Sequence, residues 1–441
     1  MKKILFFSSV ISLFLYGCAG SGNGELIGDI NRAPWNPTDP YGMVFIPQGS
    51  FMMGPSEQDV PFANVSTNQR ASVGAFYMDE TEITNNEYRQ FEKWVVDSII
   101  RTELKLFKTQ GRGDQADTLL SKYVYNDERL PKIDWNIRID KDSFEFLYDS
   151  IFVKARVDGD VVKEEDNFVY RYEMLDVRKF SNANKEDEEY IDGLSGEDFR
   201  NDFVRDTVVK MYPSTMDFQS DYVYSNNETD AIFRYEHEAY DDYPIVGITW
   251  DQANAFCHWR THIMNEFLRA RKEPLMPDFR LPTETEWEYA ARGGLGMSPY
   301  PWGGPYTRNE KGCFLANFKP LRGNYTADGG LKAIKVRSYN PNNYGLYDMA
   351  GNVAEWTSTV YEEMSNSYTH DMNSDNSRST DQMEGKEDEF KRKVIRGGSW
   401  KDISYFIRNS TRSYEYADVS TSYIGFRCVM DFLGRDKKDF Q

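Results

Sequence analysis

The histidines and cysteines of this chain are few, and their spacing limits the chemistry they can do. Four histidines occur: His237, His258, His262 and His370. His258 and His262 stand one helical turn apart on a predicted helix, with Glu266 a turn further, so all three share a face. That is metal-ligand spacing, but no HExxH arrangement is present. Ala253, Phe256 and Cys257 mark the buried stripe of the same helix and leave both histidines beside or outside it. A surface polar role is the expectation for them. Ser399 has no histidine near it in sequence to act as its base, so a hydrolase triad has no support. Neither a P-loop nor a dinucleotide-binding glycine fingerprint occurs. Cys257 on that helix and Cys428 in a predicted strand read as small buried apolar groups. Cys313 is the third thiol past the N-terminus, and three cannot all pair within one chain. No cysteine lies between Cys313 and Cys428.

Capping boxes set the helices that hold these residues. Thr84 with Glu87, Thr249 with Gln252 and Thr283 with Glu286 each put a hydroxyl before an apolar stripe and a carboxyl or amide inside it. Behind them come Tyr88, Phe91, Trp94 and Val95, then the Ala253 stripe, then Trp287, Ala290 and Ala291, all at helical spacing. Gly293 closes the last helix as its C-cap. Met43 to Gly54 alternates apolar and turn residues and predicts a hairpin. Beyond Gly294, short strands, turns and long ordered loops are expected. Residues 98–242 form a large insertion, in which 144–156, 168–172 and 203–212 read as strands between acidic turns. Its aromatic and β-branched content argues that much of it folds, and a structureless connection of that length is unusual in a compact domain. It reads equally as a decorated surface loop or as a partner-binding subdomain. Residues 362–391 are polar and low in complexity, which predicts a mobile surface loop.

A chain of 441 residues can bury a large core. The net charge of −19 speaks against nucleic acid, whose phosphates need concentrated Lys and Arg, and against broad adsorption to anionic lipid. Lys2 and Lys3 followed by the apolar run 4–16 predict a signal peptide over residues 1–17, too short to span a bilayer. Leu15-Tyr16-Gly17-Cys18 resembles a bacterial lipobox, which makes Cys18 the expected lipidation site and mature N-terminus. Acyl chains there anchor a protein at about 0.8 kcal/mol per buried CH₂. Residues 18–40 read as a lipidated tether and 41–441 as the folded domain. Ala19 in place of Asp points, by analogy with lipoprotein sorting, to the outer membrane, and the lack of an acidic tract there to its periplasmic face.

Several blocks together carry a family resemblance: residues 43–54, 76–91, 244–259, 280–294, GLYDMAGNVAEWTS at 345–358, and 396–427, which opens with RGGSW and ends in GFR. They are similar to the core of the formylglycine-generating, sulfatase-modifying enzymes. The resemblance implies an α+β fold of the C-type-lectin-like mixed kind, with short strands, few helices, long ordered loops and structural calcium. One calcium would use Asn352, the Val353 carbonyl and Glu355, and a second Asn317, the Phe318 carbonyl and Asp328. Hard Ca²⁺ takes roughly six to eight such oxygens. The alternative for the first set is a turn at Asn352 with Glu355 paired to an arginine such as Arg427. Active members carry two reactive cysteines just past the RGGSW-like run, whose thiolates bind Cu(I). The matching positions here are Asp402 and Ile407. Asp is a hard ligand and Ile is none, so a degenerate active site, no catalytic residue and no copper are expected.

Within the family, GSGNGEL (20–26), DPYGMVFIPQGSF (39–51), MGPSEQDV (53–60) and the run 77–98 resemble a branch of gliding-motility and type IX secretion lipoproteins. That resemblance implies a non-catalytic outer-membrane component that self-associates into a ring with a periplasmic partner, the N component. A paralogous J component shares the fold. A lipid anchor raises the effective concentration for such assembly, and a head-to-tail contact that closes makes a ring. Two rival readings stand beside it. One is a formylglycine-generating oxygenase, which the missing cysteine pair disfavours. The other is a calcium-dependent glycan-binding module with Asn352 and Glu355 at its site.

Overall fold

Pro47 has no amide hydrogen to give to a sheet, and the first strand breaks there without losing its partner. In the computed structural model, strands β1 (Met43–Ile46), β2 (Gly49–Met53), β3 (Gln69–Val73) and β4 (Phe76–Asp79) follow in order. β1 pairs with β4 and β2 with β3, and the register carries through the break: Ile46 faces Phe76 and Gly49 faces Val73. The hairpin expected within Met43–Gly54 is therefore corrected. That segment is one arm of a longer antiparallel pair, and residues 69–79 are the other arm.

The structure describes residues 35, 37–55, 68–107, 109–110, 117–118, 120–125, 128–131, 133–157, 160–175, 203–221, 228–320, 324, 326, 329–365, 369–372, 374–375 and 391–434. The chain divides into Pro40–Phe432 and a second unit of Met1–Asp39 with Leu433–Gln441. Everything below lies in the first. The signal segment and Cys18 lie outside the described residues.

Helix α1 (Asn85–Glu103) begins at Thr84, whose hydroxyl accepts from the Glu87 amide while the Glu87 carboxylate accepts from the Thr84 amide. Inside the insertion, α2 (Lys141–Phe152) is capped by Asp140, which accepts from the Ser143 amide. The strand expected over 144–156 is thus helical as far as Phe152. Phe144, Leu147, Tyr148 and Ile151 recur at helical spacing and press against the core. Only β5 (Val153–Val157) at the end of that stretch is extended, paired with β6 (Asp160–Lys163). β7 (Val169–Leu175) pairs along its length with β8 (Val204–Lys210), as the 168–172 and 203–212 stretches predict.

These insertion elements complete the core. Phe152, Phe168, Tyr170, Tyr172, Val209 and Met211 are buried in the same cluster as Tyr88, Phe91 and Phe256. A polar lock seals the seam. Lys163 Nζ lies 2.9 Å from Glu92 Oε1 and 3.0 Å from Glu236 Oε1. Tyr235 donates to Glu92 and Tyr212 to Glu236, both at 2.7 Å. Helix α2 and strands β5 to β8 of the insertion therefore fold against the core.

Helix α3 (Trp250–Arg271) starts with the Thr249–Gln252 box. After β9 (Phe279–Arg280), α4 (Glu284–Arg292) starts with the Thr283–Glu286 box and ends on Gly293 in the left-handed region. Each such cap contributes about 1 kcal/mol. Then come β10 (Ala354–Val360), β11 (Arg392–Arg396), β12 (Ser413–Tyr416), β13 (Ile424–Gly425) and β14 (Val429–Asp431). They complete one sheet of order β1–β4–β14–β9 and make a second of order β12–β11–β10–β13. Short strands, few helices and long loops match the mixed α+β expectation. The polar segment 362–391 is docked in part, at Asp371, Ser374 and Asp375, while Met364 and Met372 stand exposed. Ser72 donates to Asp371 at 2.7 Å, Ser374 is buried 2.8 Å from the Thr285 hydroxyl, and Asp375 accepts from the Thr285 amide at 3.2 Å. The rest of that segment lies outside the described residues.

Candidate functional site

The RGGSW run turns sharply because its two glycines allow it. Gly397 and Gly398 have φ of +88° and +64°, in the left-handed region that suits glycine. A Cβ on Gly398 would sit 2.7 Å from the Phe406 carbonyl and 2.9 Å from Ile407 Cγ2. Ile407 is fully buried and packs with Tyr300, Phe314, Ala316, Phe318 and Ala350. Asp402, the other position of interest, closes the turn it belongs to. Its Oδ2 accepts from the Ser399 amide at 2.9 Å and the Ser399 hydroxyl at 2.7 Å, and its carbonyl accepts from the Lys319 amide at 2.8 Å. One position is a turn cap and the other is apolar core. Neither offers a soft sulfur ligand.

Beside this wall, residues 345–358 form a turn and then β10. Asn352 has φ of +63°, and its carbonyl accepts from the Trp400 amide at 2.9 Å, which ties the turn to the RGGSW run. The Asn352 side chain is fully engaged. Its Oδ1 accepts from the Ile334 amide at 2.9 Å, and its Nδ2 donates to Glu82 at 2.6 Å. Glu82 also accepts from the Val353 amide at 3.0 Å. Glu355 takes Trp287 Nε1 and Arg427 Nε on one oxygen, both at 2.7 Å, and Arg427 Nη2 on the other at 2.6 Å.

The first calcium set is therefore brought together, with its Asn352 and Glu355 side chains already engaged by protein donors. A calcium shell needs roughly six to eight free oxygens. Here the Glu355 carboxylate already neutralises the Arg427 guanidinium, and Asn352 Oδ1 already takes the Ile334 amide. These residues do not fit the ion as they stand, and the arginine-paired alternative describes the geometry. Of the second set, Asn317 Oδ1 accepts from the Gly330 amide at 3.2 Å and its carbonyl from the Asn352 amide at 2.8 Å. Phe318 is buried, and Asp328 lies outside the described residues. Among the described residues, no group of three or more His, Cys, Asp or Glu is arranged to hold a metal.

Charge is concentrated under this turn. Burial, then the Asp348 and Glu355 charges, push the Glu82 carboxyl well above its usual range, and Arg427 pulls it back. Burial also lifts Asp348 to about 6. A second buried network joins the ends of the RGGSW segment to α4. Arg412 clasps Glu284 at 2.5 and 2.8 Å, Arg396 bonds Glu288, and Glu288 bonds Arg292 at 2.6 Å. Pairs of this kind fix geometry more than they add stability, because desolvation offsets their attraction.

His258 is not the surface residue its position on α3 suggested. Its Nδ1 lies 2.9 Å from the Tyr170 hydroxyl and its ring stacks on Tyr172, centroids 4.5 Å apart. The insertion ribbon covers that face of the helix, and burial depresses the imidazole to about 4. His262 packs edge-on against Trp94 at 5.8 Å. Cys257 and Cys428 are buried as expected. Sequence reasoning missed Glu82. Its partner Asn352 is 270 residues away, and no local pattern links the two.

A family model described as the sulfatase-modifying factor enzyme 1-like domain matches residues 29–432. The chain is 33% identical over 202 residues to the inactive C-alpha-formylglycine-generating enzyme 2 of Mus musculus, covering 44% of this chain and 51% of that protein. It is 26% identical over 406 residues to the formylglycine-generating enzyme of Bos taurus, covering 90% of this chain and 76% of that one. The chain spans about half the length of the first of these relatives. Among solved structures, PvdO from Pseudomonas aeruginosa is 16% identical, with 88% of this chain and 94% of that chain covered and a TM-score of 0.43.

Proposed function

The chain belongs to the sulfatase-modifying factor enzyme 1-like domain family, and we propose that within it this protein is a non-catalytic scaffold. It is an outer-membrane lipoprotein, anchored at Cys18 and facing the periplasm. It forms a ring of the type IX secretion and gliding-motility machinery with a periplasmic N-component partner, as the K component (GldK/PorK type). The observation that carries the non-catalytic reading is the pair Asp402 and Ile407. A copper-dependent oxygenase of this family needs two thiolates there, and copper(I) selects soft sulfur ligands. Ile407 is fully buried in an apolar cluster and Asp402 is bound to Ser399. The resemblance to a relative named as inactive points the same way.

The scaffold reading is supported by what remains intact. The buried networks around Arg427 and Arg396 hold the wall in shape. The insertion, locked to α1 through Lys163 and Glu92, holds its outer surface rigidly for partners. Detergent extraction from native membranes, affinity purification and electron microscopy test the assembly. Ring particles containing one stoichiometric periplasmic partner are expected, and a lone monomer would overturn the ring. In the same membranes, Cys18→Ala chain should appear in the soluble fraction.

A further inference from the structure

Beside the start of α1, a small cavity opens between residues 213–218 and the segment 230–235. Asn85, Ser214, Thr215, Phe218, Asp230 and Arg234 are among its walls. Arg234 is the unusual member. It is only 5% exposed, yet its Nε–H has no hydrogen-bond partner among the described residues. The rest of the side chain is held firmly. Nη2 donates to the Ala333 carbonyl at 2.6 Å. The ring centres of Phe218, Tyr243 and Tyr240 lie 4.9, 5.4 and 5.7 Å from the guanidinium carbon. Asn85 Nδ2 donates to the carbonyls of Arg234 and Tyr240, at 3.1 and 2.9 Å, and so pins the backbone that carries the arginine.

The positive charge here is under-compensated. Asp230, the carboxylate facing Arg234, stands 4.0 Å from Nη1 and also binds Lys332. Two cations thus share one anion. Burial pulls the guanidinium down from its usual value, against the upward pull of Asp230. An unmet donor on a buried cation is costly, and an acceptor relieves it. The same cavity holds a second free donor. The Thr215 hydroxyl takes part in no hydrogen bond among the described residues. Ser214 is already engaged, since its hydroxyl donates at 2.8 Å to Asp217, which is not one of the walls.

We propose that this cavity is a binding site for a carboxylate, held by the free Nε–H edge of Arg234 and by the Thr215 hydroxyl. Size and shape choose the class. A volume of about 10 Å³ takes one water-sized group, so the tip of a planar carboxylate enters where a tetrahedral oxyanion does not. The edge of a guanidinium matches a two-oxygen anion. Two sources carry this group: a small free acid, and an acidic side chain or chain end of another protein.

The test is a titration of the full chain in which sodium acetate replaces sodium chloride at constant ionic strength. Melting temperature and saturation transfer from the protein to the acetate methyl group are read together. Acetate should raise the melting temperature along a saturating curve and receive saturation, and acetamide should do neither. Triglycine and triglycine amide make the second arm. A response to acetate marks a free acid as occupant. A response to triglycine without acetate, lost in the amide, marks a protein carboxylate. Thr215→Val, at a half-buried position, should fold as wild type and weaken binding about fivefold. Arg234→Lys keeps the charge but loses the Nε edge, and should abolish the response. If it fails to fold, the Thr215→Val titration decides alone. Flat titrations with every carboxylate, an equal response to acetamide, or unchanged affinity in Thr215→Val would overturn the proposal.

Discussion

Arg427 donates to both carboxylate oxygens of Glu355, through Nε at 2.7 Å and Nη2 at 2.6 Å. The pair is fully buried and sits where a metal-ligand set was expected from family resemblance. Glu82 and Asp348 lie close enough to feel the same guanidinium. Arg427 is thus the positive charge around which three carboxyl groups are arranged, and it also donates to the backbone carbonyls of Asp79 and Tyr347 at 3.1 and 3.0 Å.

Removing that charge should be costly. Arg427→Ala strands Glu355 without a counter-charge and is expected to lose about 3–5 kcal/mol. Glu355→Gln should lose less, because Arg427 keeps Asp348 nearby as a counter-charge and the neutral amide leaves no stranded carboxylate. Denaturant unfolding of the two variants checks the order. Equal losses would show that Asp348 does not share the guanidinium.

The same geometry predicts indifference to calcium. With Glu355 and Asn352 engaged by protein donors, melting in calcium and in EDTA should coincide. A reproducible rise with calcium, absent in Glu355→Gln, would mean that the ion displaces Arg427.

Two buried groups should tilt the pH profile in opposite directions. Burial raises Asp375 to about 6 from 3.8. A raised folded value favours the protonated form, so its stabilisation is full below the unfolded value and is lost as pH rises through about 6. His258 is depressed to about 4 from 6.5, by burial and then by His262. Its contribution is present above 6.5 and is lost as pH falls towards 4. Between about pH 7.5 and about pH 5, Asp375→Asn should therefore gain less stability on acidification than wild type, and His258→Gln should lose less. The difference expected for each is about 1–2 kcal/mol, reduced from the full shift because both groups keep some exposure. Melting curves at the two pH values check the signs, and a parallel slope in either variant would contradict its assignment.

The insertion should unfold with the rest of the unit. Lys163→Met leaves Glu92, only 7% exposed, without its cation. A loss of about 2–4 kcal/mol is expected, spread over a single calorimetric transition. Two resolved transitions in wild type would mean that the insertion is a separate folding unit.

Much of this fold was legible where the signal is local. The three capping boxes form at Thr84, Thr249 and Thr283, because a hydroxyl and a carboxyl or amide three residues on decide a helix start among themselves. Gly293 ends α4 for the same kind of reason. What failed was set by distant neighbours. Pro47 reads as a turn, yet a strand from residues 69–79 holds both sides of it. His258 reads as exposed on its own helix, but β7 covers it. Asp375 lies in a stretch with the composition of a loose loop, and docks at the start of α4. In the site, the Glu355–Arg427 pair was visible as an alternative from residue type alone, whereas Glu82 was not, since its whole role is to meet a turn from the far end of the chain.

The claim that the catalytic wall has become structural is tested most directly by offering the protein its family's reaction. Purified full-length chain, copper-loaded and supplied with oxygen and reductant, is incubated with a cysteine-containing sulfatase peptide, and the peptide is weighed by mass spectrometry. With Asp402 bound to Ser399 and Ile407 sealed in the core, the cysteine should be recovered unchanged at every time point. Enzyme-dependent conversion of that cysteine to formylglycine would contradict the account.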